Sequence, residues 1–346
     1  MRQPREPERV LVDAFGRVAS DLRISLTDKC SLRCTYCMPA EGLTWLRKAE
    51  LLSDDEIVRL AGVFVGRGVT SIRLTGGEPL LHRTLPSVLS RLAALDPRPE
   101  LSLTTNGIGL VHIAEQLVTA GLDRVNVSVD TLDRQRFLDL TRRDRLPDVL
   151  AGIAAAAAAG LHPIKVNAVL MRGSNLPEAP ALLGWALRSG YRMRFIEHMP
   201  LDAQHAWTRD GMVTADEMLA LLREHYTLRA IGRPGHESAP AEEFEVLDGP
   251  DAAGWPERPG QLGVIASVTR PFCRDCDRLR LTADGQLRTC LFARTETDLR
   301  GALRAGATDA QLGALIQVAV AGKQAGHGVG AADFVQPDRP MSAIGG

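Results

Sequence analysis

The sequence predicts an α/β protein built on a parallel sheet, and three observations carry that reading. Six short runs rich in β-branched residues recur, helix-like stretches with recognisable caps separate them, and no run of about 18 apolar residues breaks the pattern. The 346 residues correspond to roughly two domains of about 150 residues, although one α/β barrel can use most of that length. At 45% hydrophobic and 24% charged, the chain has enough apolar surface for a core.

The candidate strands are 22–26, 71–75, 101–105, 124–129, 164–170 and 192–196. Ser53 with Glu56 reads as a capping box opening a helix over 54–65. Pro147 suits a first helical turn and Gly160 a C-terminal stop, bracketing an alanine-rich helix over 148–159. Pro177 opens another helix that ends near Gly190, and Thr214 with Glu217 caps a further one. Strand–helix alternation repeated six times implies right-handed crossovers in a parallel sheet. Six units are fewer than the eight of a closed barrel, so a doubly wound sheet and an open, partial barrel both fit. Beyond about residue 230 the texture changes. Residues 232–260 carry five prolines and five glycines. Strand-like pieces at 242–247 and 262–268 follow, then a helix capped by Thr308 and Gln311. The expected division is therefore 1–230 and 231–346.

A net charge of −1 argues against a nucleic-acid or membrane-surface binder, which needs a basic face. Residues 1–9 are charged and proline-rich with no apolar stretch behind them, so neither a secretory leader nor a membrane span is expected. The six cysteines fall into two triplets, Cys30, Cys34 and Cys37, and Cys273, Cys276 and Cys290. Without a leader, such triplets read as metal or redox sites, not disulfides. The first triplet follows the first strand, at the strand end where parallel α/β folds keep their chemistry. Three thiolates hold three irons of a cubane cluster and leave the fourth iron open. A zinc ion completed by a remote ligand is the competing reading.

Cys30-x-x-x-Cys34-x-x-Cys37, with Tyr36 before its last cysteine, resembles the signature of radical S-adenosylmethionine enzymes. Gly76-Gly77-Glu78-Pro79 at the end of the second strand resembles their second hallmark, which holds the methionine amino group. In the second triplet, strand alternation sends Arg278 and Arg280 to one face, a pairing suited to phosphate. Together with the segment Leu22-Arg23-Ile24-Ser25-Leu26-Thr27-Asp28 and the terminal Gly345-Gly346, the pattern is similar to the GTP 3′,8-cyclase family of molybdenum cofactor biosynthesis. The likeness runs from about residue 10 to the last glycine.

That resemblance implies an open partial (β/α)6 TIM-like barrel, with a smaller C-terminal α+β domain carrying a second iron–sulfur site. It implies a lyase in which a radical from S-adenosylmethionine takes hydrogen from the 3′ carbon of GTP. The ribose radical then closes on carbon 8, giving (8S)-3′,8-cyclo-7,8-dihydroguanosine 5′-triphosphate. The implied cofactors are S-adenosylmethionine and two 4Fe–4S clusters, one on each cysteine triplet. Tyr36, Gly77, Ser128 and Met199 are the expected S-adenosylmethionine contacts. Arg23, Arg73, Thr104, Lys165, Arg278 and Arg280 are the expected GTP contacts, and Arg280, Gly345 and Gly346 act at the reacting end. Arg23, Arg73 and Lys165 also stand out without any resemblance, because a charge in a doubly covered strand is costly unless paired. Arg194 has the same character, with no partner chosen among GTP, the cofactor and Glu197. The implied partners are a flavodoxin- or ferredoxin-type electron donor and a downstream cyclic pyranopterin monophosphate synthase, with a homodimer and a cytoplasmic setting. Two alternatives compete: a peptide-modifying radical enzyme with an auxiliary cluster, and a non-catalytic iron–sulfur or zinc protein.

Overall fold

The structure is a computed structural model that describes residues 10–232, 238–331 and 333–345. β1 (Asp21–Ser25) leads to α1 (Asp54–Gly66), β2 (Ser71–Thr75) to α2 (Leu85–Ala93), and β3 (Glu100–Thr105) to α3 (Ala114–Thr119). β4 (Arg124–Ser128) is followed by α4 (Arg134–Thr141) and α5 (Leu146–Ala158), β5 (Lys165–Leu170) by α6 (Ala179–Arg188), and β6 (Arg192–Glu197) by α7 (Ala215–Arg223). The rest of the chain forms β7 (Thr227–Gly232), β8 (Glu242–Asp248), β9 (Gly260–Ile265), β10 (Arg278–Leu281), β11 (Gln286–Arg288) and β12 (Thr297–Asp298). Three helices close it: α8 (Leu299–Arg304), α9 (Asp309–Ala321) and α10 (Met341–Ile344).

Local chemistry explains where these elements start and stop. The reciprocal capping boxes at Ser53/Glu56, Thr214/Glu217 and Thr308/Gln311 all form. Pro147 sits in the first turn of α5, and Gly160 behind it takes φ +89. Pro177 opens a single 3-10 turn instead, and α6 begins at Ala179.

All twelve strands belong to one sheet, in the order β12-β11-β10-β1-β2-β3-β4-β5-β6-β9-β8-β7. The run from β10 through β1–β6 to β9 is parallel throughout. Its outermost strands come from the C-terminal region: β10 pairs with β1 and β9 with β6. The expected boundary after residue 230 falls inside β7, and the strands beyond it extend both edges of the same sheet. Glycine and proline there mark long connections; the sheet itself runs through. Every parallel strand contributes to the lining of one central cavity, so the sheet is curled into an open barrel. Alternation sends Leu22, Ile24, Ile72 and Leu74 outward beneath the helices, fully buried, and turns Arg23 and Arg73 inward.

Glu197 fixes the top of this barrel. It has no exposed surface, and it ends β6. Its Oε2 accepts the amides of Val268 at 2.8 Å and Thr269 at 2.9 Å, while Oε1 accepts the Ala215 amide at 2.8 Å and the Thr269 hydroxyl. One carboxylate thereby ties β6, the N-terminus of α7 and the segment leading from β9 to the second cysteines. Glu197→Ala orphans those buried donors, and a destabilisation of about 3 kcal/mol is expected in denaturant titration. An unshifted midpoint would mean that the strut carries no load.

Candidate functional site

The first triplet lies on the loop after β1 and borders a cavity of about 160 Å³. Gly76 and Gly77 press against the backbone that delivers it. Gly76 has φ +144, and a Cβ there would stand 2.5 Å from the Thr27 carbonyl oxygen. At Gly77 a Cβ would stand 2.5 Å from the Asp28 carbonyl oxygen. Gly77 N donates to Thr27 O at 2.7 Å and Glu78 N to Lys29 O at 2.8 Å, so two adjacent amides clasp the strand just ahead of Cys30. Glu78 is buried and accepts from Thr105 Oγ1 (2.6 Å), Asn106 N (2.7 Å) and Leu80 N (3.0 Å). Burial nevertheless pushes its carboxyl up to about 7. Asn106 Nδ2 reaches Ser31 Oγ at 3.0 Å and Cys30 Sγ at 3.8 Å. Tyr36 donates its hydroxyl to Asp130 at 2.7 Å, and burial pushes Asp130 up to about 6. Burial likewise pushes Cys30 up to about 12 and Cys37 to about 11, despite Ser342 beside Cys37. Iron ligation reverses that tendency, because a coordinating thiol is deprotonated outright.

The second triplet brackets the hairpin of β10 and β11 and borders a cavity of about 60 Å³. Lys323, behind α9, is buried against it: Nζ donates to Cys276 O at 2.8 Å and Arg278 O at 3.0 Å, and lies 3.6 Å from Cys276 Sγ. Burial opposes ionisation of Cys276, but Arg278 and Lys323 outweigh it and hold the thiol below its ordinary value. Arg17 donates to Cys273 O at 2.6 Å and is itself paired with Asp13. Among the described residues no three His, Cys, Asp or Glu side chains converge tightly enough to hold a single ion. Each triplet rims a cavity, and three thiols at a rim fit the donor set of an open-sided iron–sulfur cluster.

A third cavity of about 220 Å³ lies between the other two. It shares Tyr36, Thr104 and Ser128 with the first and Met199, Arg278 and Arg280 with the second. Strand register makes its walls cationic: Arg280, Arg23 and Arg73 are successive cross-strand neighbours, as are Asn167 and Arg194. Burial, then the neighbouring guanidiniums Arg73 and Arg278, pull Arg23 down to about 9. Burial pulls Arg73 and Arg194 to about 10 and Arg280 well below its usual range. Lys165, one layer lower on β5, is pulled to about 7 by burial and then by Arg194, Arg124, Arg73 and Arg192. Asp21 answers part of this charge. Burial opposes its ionisation, but Arg23, Arg73, Arg278 and Arg280 hold it below the usual carboxylate value. The buried Nε of Arg23 has no hydrogen-bond partner, so the wall is suited to an anion. Arg278 also lies 4.3 Å from the Phe272 ring centroid.

The C-terminal segment enters the same space. Met341 lines both the first and the central cavity. Gly345 takes φ +86, and a Cβ there would collide with Ser25 Oγ and Thr75 Oγ1. Arg280 Nη1 donates to Gly345 O at 2.5 Å and Ser25 Oγ to Ile344 O at 3.1 Å. Gly346 lies outside the described residues. Arg194 lines the central cavity, whereas Glu197 is taken up by backbone amides, so the two do not serve one another. Sequence reasoning did not single out Asp130, Asn106, Lys323 or Ser342. Asp130 and Asn106 carried a usable signal, each being a polar residue just past a strand's C-terminal end.

Residues 24–186 match the family model described as Radical SAM superfamily, and residues 191–329 the one described as Molybdenum Cofactor Synthesis C. The chain is 59% identical over 343 residues to the GTP 3′,8-cyclase of Streptomyces coelicolor, covering 99% of this chain and 98% of that one. It is 58% identical over 337 residues to the GTP 3′,8-cyclase of Mycolicibacterium smegmatis, covering 97% and 92%. Among solved structures, Streptococcus suis SuiB bound to S-adenosylmethionine aligns with a TM-score of 0.55 at 13% identity, covering 87% of this chain and 68% of that one. At that identity the likeness is one of fold.

Gly77→Ala is expected to push the clasp off the first cysteine loop. Iron uptake at Cys30, Cys34 and Cys37 should fall severalfold, read by iron content after anaerobic reconstitution in a Cys290→Ser background. Undiminished uptake would show that the clasp does not set that loop.

Proposed function

The chain belongs to the GTP 3′,8-cyclase family, and from that premise we propose a division of labour for its barrel. The reaction converts GTP to (8S)-3′,8-cyclo-7,8-dihydroguanosine 5′-triphosphate, the first step of molybdenum cofactor biosynthesis. S-adenosylmethionine, bound at a 4Fe–4S cluster on Cys30, Cys34 and Cys37, supplies the radical chemistry. The remaining tasks fall to this chain's own residues.

Gly76 and Gly77 let the backbone approach the methionine end of the cofactor, and Tyr36, Ser128 and Met199 line its berth. Arg23, Arg73, Arg278, Arg280 and Lys165 take the triphosphate, with Thr104 beside it. The observation that carries this is the in-register row Arg280, Arg23 and Arg73 facing a cavity between the two triplets. Buried guanidiniums side by side repel one another, and an anion of several charges turns that repulsion into attraction. Cys273, Cys276 and Cys290 hold a second 4Fe–4S cluster whose open side addresses the guanine. Gly345 and Gly346 complete the reacting end, with Arg280 aimed by the Gly345 carbonyl. The barrel half, 1–230, thus serves the radical source and 231–346 the nucleotide. A flavodoxin- or ferredoxin-type donor, delivery to cyclic pyranopterin monophosphate synthase, a homodimer and a cytoplasmic setting complete the reading. Among the described residues no helix is long and apolar enough to cross a membrane.

The test is anaerobic reconstitution with dithionite and S-adenosylmethionine, with and without GTP. Formation of 5′-deoxyadenosine that rises with GTP is expected. No deoxyadenosine at all sinks the radical reading, and equal amounts without GTP sink the substrate assignment.

Lys165 gives a pH signature. Its ammonium loses its proton near pH 7 in the free site, and a bound triphosphate favours the charged form. GTP binding above pH 7 should therefore take up a proton, with affinity falling by up to about tenfold per pH unit as pH rises. Calorimetry in buffers of different ionisation enthalpy reads the uptake, and Lys165→Met should remove it. The same uptake in that variant would assign the proton elsewhere.

A further inference from the structure

The segment that carries Gly345 is fastened at both ends to one hairpin. At its far end Arg339 makes a two-pronged pair with Asp284, Nη1 to Oδ1 at 3.0 Å and Nη2 to Oδ2 at 2.8 Å. Its Nε lies 2.9 Å from Glu296 Oε1. Asp284 sits in the turn between β10 and β11, where Thr282 Oγ1 also donates to it at 2.6 Å. Glu296 takes the buried Arg288 as well, and Arg288 is the cross-strand neighbour of Arg280. Arg280 in turn holds the Gly345 carbonyl. Between these fixed points the chain turns through α10, with Met341 N on Leu201 O at 3.0 Å. Ile344 is buried in an apolar cluster with Leu201, Val268 and Phe292.

Burial alone does not account for Arg339. Its side chain is 28% exposed, yet all three of its bonding nitrogens are committed to the two carboxylates. Bidentate pairing fixes orientation as well as distance, which an apolar contact would not do.

We propose that Arg339 is a positioning residue for cyclisation: by latching onto Asp284 and Glu296 it sets where Gly345 meets Arg280. The β10–β11 hairpin is thus the receptor for the C-terminal segment. Because Cys276 precedes that hairpin and Cys290 follows it, the latch also joins the second triplet to the tail mechanically. This rests on the reading that the tail acts at the reacting end.

The experiment uses the full reconstituted chain carrying Arg339→Gln, Asp284→Asn or Arg339→Lys. Two quantities are read: hydrogen exchange across 333–345 relative to the barrel strands, and product formed per 5′-deoxyadenosine. Arg339→Gln and Asp284→Asn should speed tail exchange by about tenfold, the scale of a lost charge-assisted bond, with barrel exchange unchanged. Product per deoxyadenosine should fall in parallel. Arg339→Lys, which keeps the charge but not the fork, should lie between them and the parent in both readouts. Unchanged tail protection in Arg339→Gln and Asp284→Asn overturns the latch. Faster tail exchange with an unchanged product ratio overturns the tail's part in cyclisation, and with it the reading beneath the proposal.

Discussion

The repulsion between buried cations in the barrel governs the rest of the structure. Arg280, Arg23 and Arg73 stand in neighbouring strands at matched register, with Arg194 across the cavity. An ordinary barrel fills this space with branched apolar side chains. Here the interior is kept open and charged, and Asp21 relieves only part of the strain. A protein tolerates such a wall when a ligand of opposite charge is its normal occupant. The outer face of the same strands is wholly apolar, so helix packing stabilises the barrel while its interior is given over to binding.

Two kinds of contact deliver the cysteines to that interior. At the first triplet they are backbone contacts: the Gly76–Gly77 clasp sets the loop by removing side chains where two strands' carbonyls crowd. At the second they are charged: Arg17 and Lys323 hold the carbonyls around Cys273 and Cys276 from two distant parts of the chain. The first arrangement is nearly local in sequence. The second spans the whole molecule.

That difference explains what could be read from the sequence. Capping boxes such as Ser53/Glu56 and Thr308/Gln311 are decided within four residues, and they formed as expected. The six β-strands of the N-terminal region were legible for the same reason, since each is a compact apolar run. The short pieces β10 and β9 gave no hint that they would pair with β1 and β6, because nothing in a strand of four to six residues encodes its neighbour. Inward charges on Arg23 and Arg73 were legible as anomalies in apolar strands. Lys323, Arg339 and Asp130 were not, because each looks like an ordinary surface residue until the partner it meets is known.

The pairing of β9 and β10 has a further consequence, for biosynthesis. Strands β1 to β6 leave the ribosome first, with both flanks of a parallel sheet bare and a positively charged hollow between them. The two strands that cover those flanks lie within residues 260–281, so neither flank is protected until three-quarters of the chain has emerged. The nascent protein must pass through a stage in which its most adhesive edges are available to any other chain. Completing the barrel and installing the second set of cysteines then occur together, which delays the site until its protective edges are in place.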